Sequence, residues 1–438
     1  MKKSILTYIL GTCVVTLFSA CKPEFKQEEN SPGSIDATSF VMIGGGSVSG
    51  FMDDALYFEG QKNALAQLIA QQLELVGGKE IHQPYVSQGS NGLSLEGNAR
   101  FKLNYRTDCK DISALSPVRA AASGDLSILN DVLYNGQKPF GNFGVPDLRL
   151  LQVNEAGYGT QNGFFGRIMS AASASVLSDA LAANPTFFAL YLGVEDVLSY
   201  AKSGGKNNSE LPSLSEFQTA YEEIVNAFIG LGCKGAISLI PDVTQMPYFT
   251  TIPYNGLTLD AENAQTLNNI YNPLDFYFEV GSNPFMIEDG NANQFGIRQI
   301  LEGEKLLLSL PLDSVKCNQM GTLFPIRNEF VLTLEEIAFI QTRIQGYNSI
   351  ITTIANQHNL ALVRADAFYD KLQSGFMYNG VSMSSTFVSG GAYSLDGIYF
   401  NAKGNALLAN EFLKAINIRY NSTIPALNAG YFNATIFP

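Results

Sequence analysis

Five short apolar runs, separated by segments with helical periodicity, constrain this chain more than any other feature. They are Ser39–Ile43, Leu148–Val153, Thr186–Leu192, Ala236–Ile240 and Leu360–Val363. Near-continuous apolar runs bounded by turn residues read as strands buried on both faces. Between them, Glu335–Ile354 sets Ile337, Ile340, Ile344, Tyr347, Ile351 and Ile354 at spacings of three and four. That spacing makes one apolar stripe along a helix. Gln61–Val76 repeats the pattern with Leu65, Leu68, Ile69, Leu73 and Val76, and Gly404–Ile416 does so with Leu408, Phe412 and Ile416. Strands alternating with helices predict an α/β fold. Its form is a three-layer α/β/α sandwich on a parallel sheet of about five strands.

Two stretches depart from this rhythm. From Leu93 to Tyr105 apolar residues fall on one parity, which predicts a β-hairpin turning near Gly97-Asn98. Residues 250–330 are rich in Asn, Pro and aromatics and read as an insertion over the sheet's C-terminal edge. Within it Tyr271, Phe276, Tyr277 and Phe278 form a candidate contact cluster, with inward packing as the competing reading.

The N-terminus carries its own signal. Lys2 and Lys3 precede an apolar run, Ile5–Phe18, too short to span a bilayer, and Phe18-Ser19-Ala20-Cys21 closes it with small residues. Residues 1–20 are therefore expected to be a signal peptide; its end resembles a lipobox, which implies that Cys21 is the lipidated first residue of the mature chain. Ordinary secretion with cleavage after Ala20 is the alternative. Residues 21–38 are polar, with Pro23, Pro32 and Gly33, and read as a flexible tether. The domain is expected to occupy 39–438. Acyl chains on Cys21 would anchor it stably.

Removal of Lys2 and Lys3 takes the formal charge from −13 to −15. So acidic a chain argues against nucleic acid as a partner. Cysteine usage says less. With Cys13 in the signal and Cys21 lipidated, Cys109, Cys233 and Cys317 remain, enough for one disulfide, and without metal-ligand spacing. Which two pair is open, although Cys233, just before an apolar run, is expected to be buried.

The first run ends in Gly44-Gly45-Gly46-Ser47. A strand, glycines and a serine can present a hydroxyl at the sheet's C-terminal edge. Further segments accompany it: Gly60-Gln61, Asn142-Phe143-Gly144, Gly193-Val194-Glu195-Asp196, Ile240-Pro241-Asp242, Gly296-Ile297-Arg298 and Asp396-Gly397-Ile398-Tyr399. In this order, over about residues 40 to 425, the chain resembles SGNH (GDSL-type) hydrolase-like lipoproteins of Bacteroidota. The resemblance implies a flavodoxin-like strand order and an ancestry in serine ester hydrolysis, with no cofactor and no metal.

Chemistry of that kind needs a serine, a base, an orienter for the base, and donors for the oxyanion. The resemblance maps these onto Ser47, Tyr399, Asp396, and Gly144 with Glu195. The serine, the aspartate and the glycine are kept. The family's Gly-Asp-Ser reads Gly45-Gly46-Ser47, its oxyanion asparagine is Glu195, and its histidine is Tyr399. A tyrosine ionises near 10 and is a poor base at neutral pH. A carboxylate beside the oxyanion repels the charge it should stabilise. Losing the histidine of a comparable triad, that of subtilisin, costs on the order of 10⁶ in turnover. The chain's two other histidines, His82 and His358, stand away from the expected base loop. Glu195, Asp196 and Asp396 could instead converge as an acid–base or calcium site.

Three functional readings follow. One is a catalytically inactive scaffold of an outer-membrane complex, with a β-barrel partner of the fatty-acid-transporter type, which the resemblance suggests. Another is a non-catalytic acyl or glycan binding module. A third is an esterase using Ser47 with a displaced base. The expected location is the outer membrane, lipid-anchored. Glu24, Glu28 and Glu29 resemble the acidic surface-export signals of Bacteroidota lipoproteins, which implies the cell surface, with the periplasmic face as the alternative.

Overall fold

The computed structural model describes residues 29–136, 138–206 and 211–438. The signal peptide and Cys21 lie outside them. Five parallel strands form the central sheet: β1 (Phe40–Gly44), β2 (Asn142–Gly144), β3 (Phe187–Tyr191), β4 (Lys234–Ser238) and β5 (Ala361–Val363). Their spatial order is β5-β4-β3-β1-β2. This is the flavodoxin-like order, with its switch point at β1 and β3, where ligand crevices form in such sheets.

Six helices matter for the layers: α1 (Leu65–Glu74), α2 (Val194–Lys202), α3 (Leu214–Gly230), α4 (Leu334–Gln357), α5 (Ala365–Ser374) and α6 (Ala402–Tyr420). The first packs with the last on one face, and α2, α3 and α4 cover the other. Alternation along β3 explains the division. Phe187 and Tyr191 meet Tyr420 and Phe412 of α6, whereas Phe188 stacks on Phe228 of α3 at 4.5 Å. Local sequence sets the helix starts. Ser213 with Glu216 and Thr333 with Glu336 form capping boxes, and Asn401 accepts from Gly404 N–H.

Four expectations change. Leu148–Val153 is not a strand. Pro146 has no N–H to donate and Asp147 has φ 64°, so the chain turns into a short 3₁₀ helix at Leu150–Gln152. The edge strand is β2, three residues paired with Met42–Gly44. The hairpin also moves: its strands are Phe101–Thr107 and Ser113–Arg119. Its turn is organised by Asp108, whose carboxylate accepts from Lys110 and Ile112 N–H. Gly97 makes only a local loop, closed by Ser94 N–H to Asn98 C=O. The helix expected over 61–76 is broken into Phe58–Lys62 and α1, because Ala64 is extended.

Last, residues 31–37 do not behave as tether. Ile35 and Ala37 are buried, Ser34 N–H donates to Tyr420 C=O, and Thr423 N–H donates to Ser31 C=O. The globular body thus begins near Ser31.

The 250–330 segment is an insertion with short two-stranded sheets and two small apolar cores. Tyr271 and Phe278 are buried there, and Tyr277 is exposed. The aromatic cluster is therefore mostly core rather than contact surface. Cys109 and Cys317 form a disulfide joining the hairpin tip to the insertion, flanked by Arg106–Asp313 and Lys316–Asp108 ion pairs. Cys233 is free and buried. No described helix is long and apolar enough to cross a membrane.

Candidate functional site

Of the five residues mapped as the site, Ser47, Glu195 and Tyr399 line one small cavity at the C-terminal edge of the sheet, while Gly144 and Asp396 stand on adjoining segments. β1 delivers Gly44 to Gly46, and Gly46–Ser49 makes one helical turn that presents Ser47, 7% exposed. β2 ends at Gly144, α2 begins with Val194-Glu195, and the 394–399 loop brings Asp396 and Tyr399.

Their connections are specific. Glu195 Oε1 accepts from Gly46 N–H at 2.8 Å, and its Oε2 accepts from the Tyr399 hydroxyl at 2.9 Å. A side chain on Gly45 would overlap the Glu195 carboxylate, and one on Gly46 would overlap the Tyr399 ring. The absence of an aspartate before Ser47, the carboxylate at 195 and the ring at 399 are thus three parts of one packing solution. Phe51 closes the far side of Tyr399, edge to face at 5.4 Å.

Asp396 does not orient a base. Its carboxylate accepts from the N–H groups of Asp54, Ile398 and Tyr399. It therefore shapes the loop that carries the tyrosine. Gly144 N–H is also taken, by Asn142 Oδ1 at 2.7 Å, so it does not point a free donor at an oxyanion. Asp196 accepts from Leu150 N–H with both oxygens. Glu195, Asp196 and Asp396 are each engaged by different partners. Among the described residues, no group of three or more His, Cys, Asp or Glu is placed to hold a metal.

The remaining space around Ser47 is about 10 Å³, lined by Glu195, Tyr399, Tyr191, Tyr369 and Met246. That is room for roughly one water. Above it, Tyr248 N–H donates to Gly397 C=O, and Leu308 N–H of the insertion donates to Tyr248 C=O. The insertion is therefore linked, through the backbone of Tyr248, to the loop that carries Tyr399.

Neither histidine is near. His82 stacks on Phe140, whose neighbour Gly141 precedes β2, and His358 caps the end of α4 before β5. Both sit at the edge where strands begin. A five-residue strand puts this edge about 13 Å from Ser47.

Sequence reasoning missed several residues. Asp53 and Asp54 follow the Ser47 turn with φ of 54° and 58°. Asp53 accepts from Leu395 N–H and the Tyr57 hydroxyl, and Asp54 pairs with Arg119 at 2.7 Å. They knit the Ser47 side to the Tyr399 loop and the hairpin. Two adjacent acids in an otherwise apolar stretch were the available signal. Lys202 lies part-buried near this cluster. Burial works against its charge, but Tyr248, Glu96, Glu195 and Asp54 raise its pKa overall.

Burial dominates the titration of the site. It lifts Glu195 to about 7, against the opposing pull of Gly46 N–H and the Tyr399 hydroxyl. It lifts Asp196 and Asp54 to about 6, and Tyr399 well above its usual range. A glutamate in the unfolded chain binds its proton only below about 4.5. From there to about 7 the folded state holds the extra proton. Stability from this group is full below the lower value and is lost as pH rises through the upper one. The loss is on the order of 3 kcal/mol for Glu195. Thermal unfolding at pH 5 and pH 8 is expected to show a smaller decline for Glu195→Gln than for the parent. Equal declines would refute the burial of an ionisable group at this position.

Comparison with solved structures gives slight likenesses. An alpha/beta hydrolase enzyme from the metagenome of Lake Arreo is 13% identical, with a TM-score of 0.29, covering 63% of this chain and 72% of that one. A catalytic mutant of an acetylxylan esterase from Geobacillus stearothermophilus is 11% identical at a TM-score of 0.30, over 64% and 73%. A GDSL-like lipase from Parabacteroides merdae, itself assigned provisionally, is 10% identical at 0.29, over 64% and 74%. No family model matches the chain. No curated protein is similar to it.

Proposed function

We propose that this chain is a lipid-anchored outer-membrane protein whose SGNH-type site is catalytically silent and whose surface serves a membrane complex. The observation that carries the silent-site reading is the hydrogen bond between Tyr399 and Glu195. It fills the position of a base with a high-pKa hydroxyl and the position of an oxyanion donor with an acceptor. The residual 10 Å³ around Ser47 also leaves no room for an acyl chain or a sugar, which disfavours a binding module in the old cleft. The distance of both histidines disfavours a displaced base.

Anchoring through Cys21 rests on the N-terminal sequence. The Cys109–Cys317 disulfide agrees with an oxidising compartment outside the cytoplasm. A β-barrel of the fatty-acid-transporter type is the proposed partner, and the cell surface the proposed face.

A fluorophosphonate should leave Ser47 unlabelled, and short acyl esters should not turn over. Stoichiometric labelling would establish a working base and restore the esterase reading. Mild-detergent pull-down of the native lipoprotein is expected to bring a barrel with it. Recovery of the lipoprotein alone would count against the complex.

A further inference from the structure

The edge of the sheet opposite Ser47 carries an unusual set of side chains. Leu75 lies just beyond α1, Leu231 just beyond α3, and Ile418 in the last turn of α6. They are 54%, 54% and 73% exposed. Two contacts and one sequence spacing place them where the strands begin. Gly78 abuts Ala37, shortly before β1. Leu231 is separated from β4 by Gly232 and Cys233 alone. Tyr420, two residues after Ile418, bonds through its hydroxyl to both backbone groups of Gly235 in β4. Single exposed aliphatics are ordinary on a protein surface. Three at the ends of three separate helices on one edge are a pattern.

The chain enters the body on this same edge. Glu29 C=O accepts from the Thr423 hydroxyl, and Ser31 C=O accepts from Thr423 N–H. Cys21 is eight residues upstream of Glu29. Fully extended, eight residues reach about 28 Å. An acyl group on Cys21 would therefore hold this edge nearer the bilayer than the Ser47 edge.

We infer that the strand-start edge is the membrane-facing surface, with Leu75, Leu231 and Ile418 seated at the boundary between headgroups and acyl chains and the Ser47 edge pointing away. The charges around them are mixed: Lys79, Lys234 and Arg419 stand beside Glu74, Glu80 and Asp36. Contact is thus apolar rather than driven by anionic lipid. This rests on lipidation at Cys21 as proposed above.

The test uses full-length lipoprotein in phosphatidylcholine vesicles with brominated acyl chains. A bimane label at Leu231→Cys is expected to lose most of its emission. A label at Glu302→Cys, in the insertion, should keep it. L75D/L231D/I418D should abolish the loss at a Lys79→Cys label without changing flotation with the vesicles. Emission lost equally at both sites, or at neither, on vesicle-bound protein overturns the orientation. Protein that fails to float overturns the anchor instead, and this inference with it.

Discussion

Unfolding of C109S/C317S in urea is expected to show a loss of about 3–5 kcal/mol against the parent. The bond joins positions 208 residues apart, and chain-entropy reasoning for so long a loop gives roughly 5 kcal/mol, with native disulfides usually measured at about 2–5. The outer half of the hairpin, which it holds, has little apolar packing. Tyr105 is 67% and Ile112 60% exposed, and a two-stranded ribbon alone is marginal in water. Limited proteolysis should accordingly cut first between Asp108 and Ile112 in the variant. A change below about 1 kcal/mol, with the tip still protected, would mean that the Arg106–Asp313 and Lys316–Asp108 pairs suffice. Such exposed pairs rarely contribute that much.

Tyr399→Ala is the second large effect, at about 3–5 kcal/mol, the usual range for removing a buried ring. Tyr399→Phe separates the hydroxyl from the ring. It keeps the packing against Gly46 and Phe51 but leaves Glu195 Oε2 without its donor, for roughly 1–3 kcal/mol. If alanine costs no more than phenylalanine does, the ring is not filling the space above Gly46. Chemical denaturation of the two variants side by side reads both terms.

Much of this fold was legible because its strands are buried on both faces. Phe40–Gly44 and Phe187–Tyr191 are apolar runs that no other element type explains as well, and the run Ala236–Ile240 overlaps the strand Lys234–Ser238, which begins two residues earlier. The long stripe from Ile337 to Ile354 lies within α4. What failed was short or unpatterned. Asn142–Gly144 offers one apolar side chain, so it made no signal beside the more apolar Leu148–Val153. Ser113–Arg119 reads as polar with a proline, and it is a strand only because Phe101–Thr107 pairs with it.

At the site, the odd residues at 46, 195 and 399 were visible one by one through a family pattern. Their mutual contact was not, since only the fold sets Gly46 against Tyr399 and Tyr399 against Glu195. The disulfide shows the same limit. Three cysteines allow three pairings, and the insertion's placement over the hairpin selects one.

The position of β1 has a consequence for how the chain matures. This strand is made first, yet it sits inside the sheet, and its neighbours are Asn142–Gly144 and Phe187–Tyr191. Phe40 pairs with a residue 147 positions later. Parallel partners so distant assemble slowly, because loop closure must precede the reward of pairing. Helix α1 can cover one face of Phe-Val-Met-Ile early, but neither neighbouring strand exists until much later in synthesis. The order of synthesis and the order of assembly are thus opposed. The nascent strand is an apolar segment whose backbone stays unpaired through that interval.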